Sequence, residues 1–106
     1  MHDKRKYERV NLPETAKIYV ADEKGARLGA VRVLGLGGVL VATPRQFAKG
    51  EKVTLAIVDE SEGIRRKLKV RALYTLPIGV GFEFGKLDEQ SAVEMGVIIG
   101  KHKGGT

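Results

Sequence analysis

From Thr15 onward, apolar and polar residues alternate along most of the chain. Ala16, Ile18 and Val20 fall on one face of a predicted strand, with Lys17 and Tyr19 on the other. Asp22-Glu23-Lys24-Gly25 is a turn, with Gly25 suited to positive φ, and a second strand over Ala26 to Leu34 completes a hairpin. Gly35-Leu36-Gly37-Gly38 punctuates the chain before a third β-run, Val39 to Thr43, which Pro44 ends. After a Lys49-Gly50 turn, Val53, Leu55 and Ile57 mark a fourth strand, and the polar run Asp59 to Gly63 reads as a solvated hairpin loop.

The next strand sets Leu68, Val70 and Ala72 against Lys67, Lys69 and Arg71, so one of its faces is basic. A solvated charged face that discourages edge pairing explains that pattern. Beyond Pro77, Ile78, Val80, Phe82 and Phe84 alternate with Gly79, Gly81, Glu83 and Gly85, an apolar face backed by glycines against which another element must pack closely. The period then changes. Leu87 and Asp88 supply a staple and an N-cap, and Ala92, Val93, Met95, Val97, Ile98 and Ile99 form a helix that needs a partner surface. Gly96 and Gly100 each weaken it by about 1 kcal/mol relative to alanine and allow close packing. Six short strands and one helix predict an all-β fold, a six-stranded antiparallel β-barrel flanked by one α-helix.

Composition adds limits. A chain of 106 residues with 42% hydrophobic and 30% charged residues is one globular domain. The net charge of +6 favours anionic partners without choosing among them. With no cysteine, thiol chemistry, thiolate metal sites and disulfides are excluded. No secretory leader and no membrane-length apolar run is visible, so the expected location is cytoplasmic. His2 and His102 lie at opposite ends, and no internal histidine or paired acid is positioned for acid–base work, so no enzyme and no metal site is expected.

Two stretches carry candidate chemistry. Ahead of the first strand, Lys4-Arg5-Lys6-Tyr7-Glu8-Arg9 is a basic arm over residues 1–13, ending at Pro13; the barrel and its helix are expected over 14–101, and a disordered tail is expected over 102–106. Arg5 and Arg9 each offer a planar fork of donors to an anion, although a solvated basic terminus has the same composition. The glycine turn at 35–38 either bends the chain sharply or lets something approach. It is no phosphate loop of the nucleotide-hydrolase kind, which opens a helix and carries Lys-Ser/Thr.

Taken in order, Arg5-Lys6-Tyr7-Glu8-Arg9 with its hydrophobic-Pro lead-in, the strand–glycine-turn–strand of Val31 to Thr43, Lys49 to Val53, and Ile78 to Phe84 before an acidic helix start resemble the PilZ domain over nearly the whole chain. The resemblance implies a six-stranded barrel whose arm folds over cyclic di-GMP, a ligand rather than a cofactor. The two arginines of the RxxxR element, here Arg5 and Arg9, would contact its phosphate and guanine, and ordering of the arm would signal to an effector protein. Lys4, Lys6 and Arg71 are auxiliary candidates.

The second family motif, [Asp/Asn]-x-Ser-x-x-Gly, is matched only by Gly38; Val33 and Gly35 stand where its first two residues belong. Losing both polar contacts costs about 2–4 kcal/mol, or roughly one to three orders of magnitude in affinity. The ligand-binding candidates are therefore Arg5, Arg9, Val33, Gly35 and Gly38. The rival reading is a degenerate PilZ adaptor of motility or pilus machinery that works through protein contacts. Nucleic-acid binding through the basic strand is disfavoured, because Tyr7 and Tyr19 are thin support for base stacking.

Overall fold

A computed structural model describes residues 9–103. In chain order they form β1 (Arg9–Asn11), a 3-10 turn (Glu14–Ala16), β2 (Ile18–Ala21), β3 (Arg27–Gly35), β4 (Gly38–Ala42), β5 (Lys52–Asp59), β6 (Ile64–Leu76), β7 (Gly79–Phe84) and α1 (Glu89–His102). Every pairing is antiparallel. Strands β3-β2-β5-β6-β7-β4 follow one another, and β4 pairs back onto β3, so these six close into the expected barrel. The helix lies against it, in contact with β1, β3 and β6.

The inward sides of the strands fill the barrel with branched aliphatics. Val20, Leu34 and Val41 are fully shielded, and Phe82 is met edge-on by Phe47, with ring centroids 5.1 Å apart. Met95, Ile98 and Ile99 of α1 join the same core. Asp88 caps the helix as its sequence position implies, accepting from the Ser91 backbone N–H at 2.7 Å. The Asp22 turn is built from local bonds. Its carboxylate accepts from the Lys24 and Ala26 backbones, both at 2.9 Å, and Gly25 takes φ +88°.

Four local features differ from the sequence pattern. Residues 9–11, placed with the arm, pair with β3 as an extra strand. Thr15 and Ala16 form a 3-10 turn, not the start of a strand, and Lys17 leaves it in the left-handed region at φ 59°. Ile78 sits in the β6–β7 turn and is 60% exposed, so it does not share the apolar face of Val80 and Phe82. Asp59 is not a solvated loop acid: it ends β5 and is fully buried.

The glycine-backed strand does pack closely. A Cβ on Gly79 would lie 1.9 Å from the Val41 carbonyl oxygen, and one on Gly81 would enter the Tyr74 ring.

Candidate functional site

Antiparallel partners point to the same face of a sheet, and alternate residues along a strand share a face. With Val10 buried, Arg9 and Asn11 therefore face outward from β1, opposite Gly35 and Val33. On β4, Val39 and Val41 turn into the core, leaving Gly38 and Leu40 outward. Leu40 lies opposite Val33 on one side and Gly81 on the other, while Gly38 lies opposite Glu83, which in turn faces Arg71. Two adjacent rows result on the outward side of the sheet, in which Gly35 and Gly81 are themselves covered. One runs Arg9–Gly35, around the turn at Leu36-Gly37, then Gly38–Glu83–Arg71; the other runs Asn11–Val33–Leu40–Gly81.

Of the residues singled out in the sequence, Arg9, Val33, Gly35 and Gly38 are thus gathered around one hairpin. Arg71 belongs to the same row, two strands beyond Gly38, where its guanidinium is paired with Glu83. Arg5, Lys4 and Lys6 lie outside the described residues. Lys67, Lys69 and Arg71 are exposed along β6 as their alternation requires.

The glycines of the turn differ in what they do. Gly38 is required by the barrel itself, because a Cβ there would stand 2.4 Å from the Phe82 carbonyl oxygen on β7. Positive φ is confined, among described glycines, to Gly25, Gly50 and Gly63, so the 35–38 turn does not need glycine for a left-handed backbone. A cleft of about 590 Å³ adjoins this turn, lined by Leu36, Gly37, Glu83 and Lys86 among others. A second, of about 480 Å³, lies over Lys52, Lys69, Arg71 and Phe84.

Charge is distributed unevenly around the barrel. Among the described residues no carboxylate is paired with Arg9. On the helix side, Arg66 grips Glu94 through two bonds of 2.8 and 3.0 Å. Those bonds lower the Glu94 pKa and raise that of Arg66. Lys101 donates to Asp59 at 2.9 Å and to Ser61 Oγ at 2.7 Å. Burial works to raise the Asp59 pKa, but the bonds from Lys101 and Ser61 outweigh it and hold the carboxyl below its ordinary 3.8.

One polar residue of this region escaped the sequence reading. Arg32 is partly exposed on β3 beside Val33, with its Nη1 3.9 Å from Glu14. A signal was available: Val31-Arg32-Val33-Leu34 breaks the period of two, as an inserted bulge residue does. Among the described residues no group of three or more His, Cys, Asp or Glu could hold a metal ion. No helix among them is long and apolar enough to cross a membrane.

Comparison with known proteins supplies a family. A model of the PilZ domain matches residues 3–99. No curated protein matches the sequence. Among solved structures, the crystal structure of an uncharacterized protein of Legionella superposes with a TM-score of 0.66 at 10% sequence identity, covering 90% of this chain and 92% of that one. At that identity the likeness is one of fold.

Proposed function

This chain belongs to the PilZ domain family, and on that premise we propose that it is a cyclic di-GMP receptor whose RxxxR arm and glycine turn grip the ligand and signal to a partner protein. PilZ domains are binding and adaptor domains, and the chemistry required is recognition, not turnover. The observation that carries the reading is the position of Arg9. A three-residue strand holds it outward, opposite Gly35, with no carboxylate partner among the described residues. Its guanidinium is thus available to a phosphate oxygen, to the O6/N7 edge of guanine, or to a purine face. Arg5, four residues earlier on the arm, supplies the second fork, and the glycine turn beside Gly35 presents backbone with little side-chain bulk.

A second reading is favoured by Gly38. Its role against Phe82 is structural, so the one matched residue of the second motif would be kept with or without a ligand. An adaptor that has lost nucleotide binding would keep the same barrel and use another surface, for which the exposed Val93 and Val97 of α1 are available.

Calorimetric titration of cyclic di-GMP into the wild type, Arg5→Ala and Arg9→Ala separates the two. The receptor reading expects micromolar or tighter binding that each substitution weakens by at least tenfold. Absence of binding by the wild type up to millimolar ligand would refute it in favour of the adaptor.

A further inference from the structure

Arg32 owes its direction to a β-bulge. Val31 lies opposite Val41 and Val33 opposite Leu40, which leaves Arg32 as an extra residue without a partner on β4. Val31 and Leu34 both reach the core, and the two residues between them stay partly exposed on the outer side. The other edge of this segment is fixed by β1, because the Leu12 backbone N–H donates to the Arg32 carbonyl at 2.8 Å. Arg32 is therefore anchored beside the strand that carries Arg9. The two are separated by about three residues, roughly 10 Å along the strands, with Val33 and Asn11 between.

Among the described residues, the donors of Arg32 are largely unspent. Its Nε is shielded from water yet donates to no acceptor among the described residues. Its Nη1 is near Glu14 Oε2, but 3.9 Å is beyond hydrogen-bond range, and Glu14 is 84% exposed. Three other arginines are engaged: Arg66 is doubly bonded to Glu94, Arg71 is paired with Glu83, and Arg27 lies 4.6 Å above the Tyr19 ring. A guanidinium held in place with free N–H groups suits an acceptor-only oxyanion better than it suits a neutral group.

Resting on the receptor reading above, we propose that Arg32 supplies the polar contact of β3 to a phosphate oxygen of the cyclic dinucleotide, and that Glu14 competes with the ligand for it. Arg9 and Arg32 then bracket the ligand from two ends, and Val33 is the apolar floor between them. The polarity missing from Val33 and Gly35 is provided by the neighbouring residue, which the bulge turns to the same surface.

The test is calorimetric titration of cyclic di-GMP into full-length wild type, Arg9→Ala, Arg32→Gln, Arg32→Lys and Glu14→Gln, each first checked for an unchanged thermal transition. Gln keeps much of the stem that packs at the bulge and removes the charge. The expected result is a loss of about ten- to a hundredfold in affinity for Arg32→Gln, as for a missing charge-assisted hydrogen bond. Arg32→Lys should recover part of it, and Glu14→Gln should bind about two- to fivefold more tightly. If Arg9→Ala weakens binding while Arg32→Gln matches the wild type, the inference falls and the receptor reading stands. Weaker or unchanged binding by Glu14→Gln would remove the competition. A wild type that does not bind at millimolar ligand overturns both.

Discussion

The two sides of the barrel use their cations in opposite ways. Where α1 meets the β5–β6 hairpin, Arg66 is locked to Glu94, and Lys101 is held by Asp59, Glu62 and the Ser61 hydroxyl. Around the β3–β4 hairpin, Arg9 has no described acidic partner, and Arg32 has only a distant one. A paired cation fixes geometry, and an unpaired one at the surface remains available to a ligand. The contrast separates cations held closely by carboxylates from cations that, among the described residues, are not. Net charge alone, +6 over the chain, does not make that distinction.

The strongest way to break this comparison is on the helix side. Lys101→Ala leaves the fully buried Asp59 without its cation and should cost about 1–3 kcal/mol of stability. Chemical denaturation measures the loss, and ligand affinity should not move. A variant as stable as the wild type would mean that the cluster is not structural.

Next in size is the response to acid. Asp59, Asp22, Asp88 and Glu94 all have pKa values below their ordinary 3.8 or 4.5 in the folded protein. The unfolded chain therefore binds more protons near pH 4. The stability these groups contribute is complete above the ordinary values and is lost as pH falls through the lower folded ones. Denaturation midpoints should hold from pH 7 to about 5 and drop below about 4. A midpoint that rises on acidification would contradict these directions.

The smallest effect sharpens the other half of the comparison. Arg9→Ala should change stability by no more than about 0.5 kcal/mol, because the side chain is exposed and makes no described ion pair. Loss of the cooperative transition in that variant would place Arg9 among the structural cations.

The barrel was legible because period-two alternation is strong wherever one face is buried, and the turn glycines sit where the chain reverses. The helix was legible from its cap at Asp88 and the change of period. Other features depended on partners that sequence spacing does not reveal. Val10 belongs to a strand only because β3 runs on past β2 and offers an edge. Asp59 looked like one of several loop acids, and its burial depends on Lys101, 42 residues away. Arg9, Gly35 and Gly38 occupy positions of the two family motifs, with Gly35 departing from the second, and the register places them around one hairpin. Arg32 was missed because a bulge changes which face a residue occupies without changing its local composition.

A closed barrel has no edge, and β1 gives this one a short one. Among the described strands β1 alone has a single neighbour, so among them its far side is the edge that another chain could extend. That template is just three residues long, carries Arg9 and Asn11 on its exposed face, and is followed by Pro13, which has no N–H to offer. A sheet this rich in valine and isoleucine would otherwise invite stacking into fibres. Ring closure together with a blunted terminus protects it from aggregation, while leaving the same short strand free to carry the arm.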